Sequence, residues 1–254
     1  MSTRDFADRS VIVTGAGSGI GRATALAFAA RGAKVVVADL NADGATRVTA
    51  DIEAAGGTAV AVVGDLGEPA VADELVATAL KSFDGMDVLV NNAGIMDSMS
   101  AVADVTDAEW ERLIRINLTA PFLLTRAVLP HMLDAGKGSI VFTASEASLR
   151  GSAAGAAYTA AKHGIAGLTK SPAVTYRNHG IRTNAIAPGG TVTNIQVTAD
   201  PAAVGPQALR PYMGNVGRPA APETQAAAIV FLASEAAGNI NGVILPVDNG
   251  WSAV

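Results

Sequence analysis

Four glycines occupy seven positions in Thr14-Gly15-Ala16-Gly17-Ser18-Gly19-Ile20-Gly21, between the apolar run Val11–Thr14 and a stretch of helical spacing from Ile20 to Arg31. A strand that turns through glycines into a helix brings bare backbone close to a ligand. The helix start adds free N–H groups and a positive dipole end, which suits a pyrophosphate. The spacing is G-x-x-x-G-x-G rather than the strict G-x-G-x-x-G, but the chemistry is of the same kind. Asp39 ends the next apolar run, 24 residues after Gly15. An acid there can hold the ribose 2′-OH of NAD and repel a 2′-phosphate. No Lys or Arg stands in Leu40-Asn41-Ala42, and position 18 is serine, so the spacing predicts NAD over NADP. Asp39 could instead cap the following helix, a job Asn41 can do equally well.

A second constellation lies further on. Asn91-Asn92-Ala93-Gly94 closes a strand, Ser145 stands just past another, and Tyr158 and Lys162 are four apart on one helix face. A Y-x-x-x-K pair is weak evidence by itself. Together with the glycine turn, the Asn-Asn-Ala-Gly run and a serine 13 residues before the tyrosine, it is specific.

These residues must be carried by a scaffold. Continuous β-branched runs at Val11–Thr14, Val35–Asp39, Ala59–Val63, Val88–Asn91, Ser139–Thr143, Arg182–Ala187 and Val243–Val247 read as seven strands covered on both faces. Between them, helical spacing covers Ile20–Arg31, Ala42–Ala55, Glu68–Phe83, Thr106–Asn117, Pro121–Leu133, Ala156–Asn178 and Pro222–Ala233. The alternation predicts an α/β fold: a doubly wound, single-domain Rossmann architecture over residues 1–254, with a mostly parallel sheet and helices on both faces. Pro188 to Ala221 reads as irregular and proline-rich, a substrate lid at about 189–221. Pro172 inside the long helix predicts a bend near Leu168–Pro172.

Composition removes several classes. The chain has 254 residues, half of them hydrophobic, a net charge of −5 and no cysteine. Thiol nucleophiles, disulfides and thiolate metal sites are excluded, and His131, His163 and His179 have no metal-binding spacing, so no metal is expected. No basic stripe points to nucleic acid or a membrane surface. Met1 to Ser10 is polar, without the apolar segment of a signal peptide, which predicts a cytoplasmic protein.

The sequence resembles the short-chain dehydrogenase/reductase family along its whole length. The residues that carry the resemblance are the glycine turn, Asp39, Asp65, Asn91-Asn92-Ala93-Gly94, Asn117, Ser145, Tyr158, Lys162 and Pro188-Gly189-x-x-x-Thr193. The resemblance implies an NAD(H)-dependent oxidoreductase acting on an alcohol/ketone pair. Tyr158 would be its general acid/base, with Lys162 and the nicotinamide charge pulling the phenol down from its ordinary value of about 10. It implies that Ser145 bonds the substrate oxygen, that Lys162 holds the nicotinamide ribose, and that Asn117 supports a water relay. Asp65 and Leu66 would meet the adenine end, and Thr191 and Thr193 the carboxamide. Gly15, Ser18, Gly19, Ile20, Gly21, Leu40, Asn91, Ala93, Gly94, Thr143, Pro188 and Gly189 would complete the cofactor site. A homotetramer is implied as well.

For the substrate, Ile195, Val197, Val204, Leu209, Tyr212, Met213 and Val216, with Met96 and Met99, suggest a hydrophobic, alicyclic or aromatic carbonyl compound. The same residues could simply pack the lid. Glu146 and Arg150 could meet a polar group or stay solvated. The competing functional reading is an NAD(H)-binding sensor or scaffold without chemistry.

Overall fold

The computed structural model describes residues 4–254; residues 1–3, part of the polar stretch at the N-terminus, lie outside the described residues. The elements run β1 Ser10–Thr14, α1 Gly19–Ala29, β2 Lys34–Asp39, α2 Ala42–Ala54, β3 Thr58–Val63, α3 Pro69–Phe83, β4 Val88–Asn91 and α4 Asp107–Ile114. Then come α5 Ala120–Ala135, β5 Gly138–Thr143, α6 Ala156–Thr175, β6 Ile181–Pro188, α7 Val204–Met213, α8 Pro222–Ala233 and β7 Ile244–Val247. The seven strands form one sheet in the order β3-β2-β1-β4-β5-β6-β7, and every pairing is parallel.

Side chains alternate across a strand, so each β-branched run feeds two cores at once. Ile12, Leu89 and Ile140 pack on one face with Leu75 of α3, Val128 of α5 and Ile165 of α6. Val11, Val13, Val35 and Val141 pack on the other with Phe28 of α1, Val48 of α2 and Ile229 of α8. Each such fully buried aliphatic side chain contributes about 1.5–3 kcal/mol. Strand order reverses between β1 and β4, and ligands of open parallel sheets bind outside the carboxyl ends at that point.

Three features differ from the sequence expectation. Helices α4 and α5 are joined by a single π turn, Arg115–Thr119, which makes Asp107 to Ala135 one helical run. The segment after β6 is not wholly irregular, because it contains α7. Pro206 falls in that helix's first turn, where no backbone donor is needed. Finally, α6 ends at Thr175, three residues past Pro172, rather than at Asn178, and the Tyr176 N–H closes its last turn on the Pro172 carbonyl.

Candidate active site

The carboxyl ends of β1, β4 and β5 are tied by neutral side chains. The Thr14 hydroxyl accepts the N–H groups of Asn92 (2.9 Å) and Ala93 (3.0 Å) and donates to the Val90 carbonyl (3.3 Å). Asn92 Nδ2 donates to the Thr14 carbonyl at 3.0 Å, and its Oδ1 accepts the Thr143 hydroxyl at 3.2 Å. Gly15 and Gly19 take left-handed conformations (φ 61° and 51°), and Ser18 enters α1 without a side-chain cap, which leaves the first-turn N–H groups free. Gly21 is required for packing: a Cβ there would stand 2.0 Å from the Gly15 carbonyl oxygen.

Asp39 spreads its carboxylate over two turns, accepting from Gly17 N (2.8 Å) and Asn41 N (2.8 Å). The Asn41 side chain accepts from Gly44 N at 2.8 Å, so Asn41 caps α2 and leaves Asp39 on the cavity wall. Asp65 is held below the usual carboxylate range by hydrogen bonds from Arg115 (2.9 Å) and the Gly67 N–H (2.9 Å).

At the other end of the same cavity stand Tyr158, Lys162 and Ser145. The Ser145 hydroxyl accepts the Ala147 N–H at 3.1 Å and stands close enough to the Tyr158 phenol to favour its phenolate. Lys162 is 4 % exposed and donates to the Thr143 carbonyl at 2.8 Å, its ammonium 5.5 Å from the Tyr158 ring centroid. Within the chain itself burial pushes the phenol up to about 12, Ser145 opposing and the Asp97 charge adding. Burial also brings the Lys162 ammonium down to about 8. The downward pull expected from Lys162 is not among the influences on Tyr158, where burial dominates. Asn117, fully buried in the π turn, accepts the Ile95 N–H and donates to the Ile95 carbonyl, both at 3.0 Å.

The cavity measures about 900 Å³ and is walled beyond Tyr158 by Met96, Ile195, Val197, Val216 and Trp251. The Thr193 side chain lies against Gly19, while the Thr191 hydroxyl is engaged by the Gly189 carbonyl and Gln225. Glu146 and Arg150 are neither solvated nor aimed at a ligand. They pair at 3.1 Å, with Glu146 fully buried, and Arg150 donates to the Trp251 and Val254 carbonyls.

The model of the short chain dehydrogenase family matches residues 9–203. The chain belongs to that family. It is 44 % identical to a cis-4-hydroxycyclohexanecarboxylate dehydrogenase of Sinomonas cyclohexanicum, over 98 % of each chain. The crystal structure of levodione reductase superposes with a TM-score of 0.89 at 36 % identity, covering 98 % of this chain and 99 % of that one. A putative NAD(P)-dependent gluconate 5-dehydrogenase from Beutenbergia cavernae, with bound NADP, superposes at 0.86 with 39 % identity over the whole of both chains.

As a short-chain dehydrogenase the chain is an oxidoreductase of a family that binds a nicotinamide cofactor, and the cavity fits one. A cradle too close for side chains, free N–H groups at a helix start, and an acid 24 residues on match its pyrophosphate and ribose. Of the residues singled out in the sequence, Gly15, Ser18, Gly19, Ile20, Asp39, Leu40, Asp65, Leu66, Ala93, Gly94, Thr143, Ser145, Tyr158, Lys162, Pro188, Gly189, Thr191 and Thr193 line the cavity. Three do not. Gly21 packs α1 on the turn, and Asn117 stands behind Gly94. Asn91 shares its strand face with Leu89, so its amide reaches Thr125 of α5 at 3.1 Å instead. Of the apolar residues proposed for the substrate, Val204, Leu209, Tyr212, Met213 and Met99 also lie outside the cavity lining. Sequence reasoning missed Asp97, Arg115 and Trp251, and it named Asn92 within the Asn-Asn-Ala-Gly run without giving it a place in the site. Asn92 was findable, since strand alternation puts it opposite Asn91; no spacing rule links Arg115 to Asp65, fifty residues earlier.

Among the described residues no helix is long and apolar enough to cross a membrane, and no cluster of His, Cys, Asp or Glu could hold a metal ion.

Proposed function

We propose that this dehydrogenase interconverts a secondary alcohol, foremost an alicyclic one, with its ketone, using NAD(H) and Tyr158 as the proton carrier. The observation behind this reading is the convergence of the Tyr158 phenol, the Ser145 hydroxyl and the buried Lys162 ammonium at one end of a cavity whose other end is a glycine cradle. A nicotinamide cofactor held there would supply the hydride chemistry at the carbinol or carbonyl carbon. Tyr158 takes the hydroxyl proton in oxidation and gives it back in reduction. Ser145 bonds the same oxygen and fixes the carbon in line. Lys162 favours the phenolate and reaches the ribose, while Asn117 keeps the Ile95 backbone fixed beside it. The 189–221 segment acts as the lid, with Met96, Ile195, Val197, Val216 and Trp251 forming an apolar wall that suits a carbocycle. The Sinomonas relative's name, a hydroxycyclohexanecarboxylate dehydrogenase, supports that class.

The choice of NAD rests on Asp39, whose carboxylate would repel a 2′-phosphate. The NADP in the Beutenbergia structure makes this the part of the proposal to test directly. Fluorescence titration of wild type and Asp39→Ala with NADH and NADPH separately should give tighter NADH binding in wild type, by roughly tenfold or more, about 1.4 kcal/mol. The preference should shrink in the variant. Equal or preferential NADPH binding by wild type would overturn the cofactor assignment and leave the proton chemistry standing.

A further inference from the structure

Helix α6 carries both Tyr158 and Lys162, yet its own N-cap, Gly155, has no side chain with which to cap it. The cap comes from a distant loop. Asp97 accepts the Tyr158 N–H on Oδ2 at 3.1 Å, and the Gly155 N–H (3.2 Å) and Met99 N–H (3.0 Å) on Oδ1. The Ser100 carbonyl takes the Ala156 N–H at 3.0 Å, so the loop satisfies three of the four successive N–H groups from Gly155 to Tyr158, all but that of Ala157. A Cβ on Gly155 would lie 2.5 Å from Asp97 Oδ2, so only glycine admits the carboxylate. The loop is braced from its far side by Glu109 of α4, which accepts Ser98 N (2.9 Å) and the Ser100 hydroxyl (3.1 Å). Asp97 is 3 % exposed, and Met99 beside it takes the left-handed φ of 58°.

We propose that Asp97 is the positioning residue of Tyr158: its carboxylate fixes the backbone that carries the phenol and keeps a buried negative charge beside the proton carrier. The ionisable groups around it are Glu109 from α4 and, from α6, Tyr158 itself with Lys162 one turn on. A buried charge meets little screening. Asp97 therefore opposes formation of the phenolate, and its charge is among the influences raising the Tyr158 phenol. Burial in turn raises the Asp97 carboxyl, with Glu109 adding, whereas the three backbone donors oppose that rise. In alcohol oxidation the proton carrier must first be a phenolate. Removing the charge while keeping an acceptor oxygen shifts that requirement to lower pH.

The proposal rests on Tyr158 being the proton carrier, so its test includes an arm that needs neither cofactor nor substrate. The chain has three tyrosines, which allows Cζ-labelled tyrosine to be followed by carbon NMR, with Tyr158 assigned by its disappearance in Tyr158→Phe. Between about pH 9 and 11 the Tyr158 resonance in Asp97→Asn should begin to titrate roughly one pH unit earlier than in wild type. In alcohol oxidation with NAD⁺ and cis-4-hydroxycyclohexanecarboxylate, the acid limb of kcat/KM should move the same way. Asp97→Ser, which keeps an N-capping oxygen, serves if the asparagine variant does not fold. A folded variant with an unmoved Tyr158 titration would overturn the proposal. So would failure of both variants to fold, which would make the carboxylate a structural cap alone. A moved resonance with no activity in any form would uphold Asp97 and count against the reading of the reaction instead.

Discussion

The two ends of the cavity are built from different materials. The cofactor end is largely backbone: Thr14, Asn92 and Thr143 knit three strand ends through uncharged hydrogen bonds, and its carboxylates, Asp39 and Asp65, are partly exposed rather than buried. The substrate end is side chain held by buried charge. Asp97 clamps the start of α6, and Glu146 with Arg150 and Asp248 anchors the chain around Trp251. The hydrogen bonds among Thr14, Asn92 and Thr143 keep one geometry over a wide pH range, because none of these three side chains titrates. Buried carboxylates make geometry and proton affinity depend on each other. The difference implies that the two ends should fail separately and in different ways.

The largest separate failure is expected at the cofactor end. Gly21→Ala forces a Cβ against the Gly15 carbonyl, 2.0 Å away, so the helix must back out of the turn. Overpacking of this kind costs about 1–3 kcal/mol, roughly 3–10 °C in melting temperature for a chain of this size. Calorimetry should register that loss, and NADH titration should fall below detection. An NADH affinity equal to wild type would mean that the turn does not form the cradle.

The same contrast explains what was legible in the sequence. The glycine turn, Asp39 and the Tyr158–Lys162 pair could be read because local rules fix them: left-handed glycines, strand ends, and four-residue helical spacing. All seven strands were legible from their apolar runs. The π turn at Arg115–Thr119 was not, since one widened turn leaves hydrophobic spacing on either side intact. Helix α7 was hidden by Pro206 and Pro211, which read as breakers but sit in its first turn and near its end. Asp97 and Glu146 were hidden for another reason. The partners of Asp97 lie about sixty residues on, and the Asp248 partner of Glu146 lies about a hundred residues on, so only the fold brings them together.

A smaller effect sharpens the contrast at the substrate end. Burial, then the neighbouring Asp248 carboxylate, push the Glu146 carboxyl up from 4.5 to about 7, against the pull of Arg150. The folded chain thus favours the protonated form. The stability this contributes is full below about pH 4.5 and is lost as pH rises through about 7. Burial alone would raise Asp248, but hydrogen bonds from Ser252 and Gly250 hold it below its ordinary range, so its titration falls outside this window. Glu146→Gln cannot ionise. Its melting temperature, relative to wild type, should therefore gain a few degrees between pH 5 and pH 8. A constant difference across that range would show that folding does not shift the titration of Glu146 there, and that the substrate end is as insensitive to pH as the cofactor end.

Single-turnover kinetics would show whether the substrate end of the cavity moves the proton for a hydride transfer at the cofactor end. Wild type and Tyr158→Phe, each saturated with NAD⁺, would be mixed with cis-4-hydroxycyclohexanecarboxylate and followed by the appearance of NADH. Wild type should turn over, the variant should be slower by roughly 10²–10⁴-fold, and NADH affinity should stay within a few-fold of wild type. Turnover by Tyr158→Phe at the wild-type rate would contradict the role of Tyr158 as proton carrier.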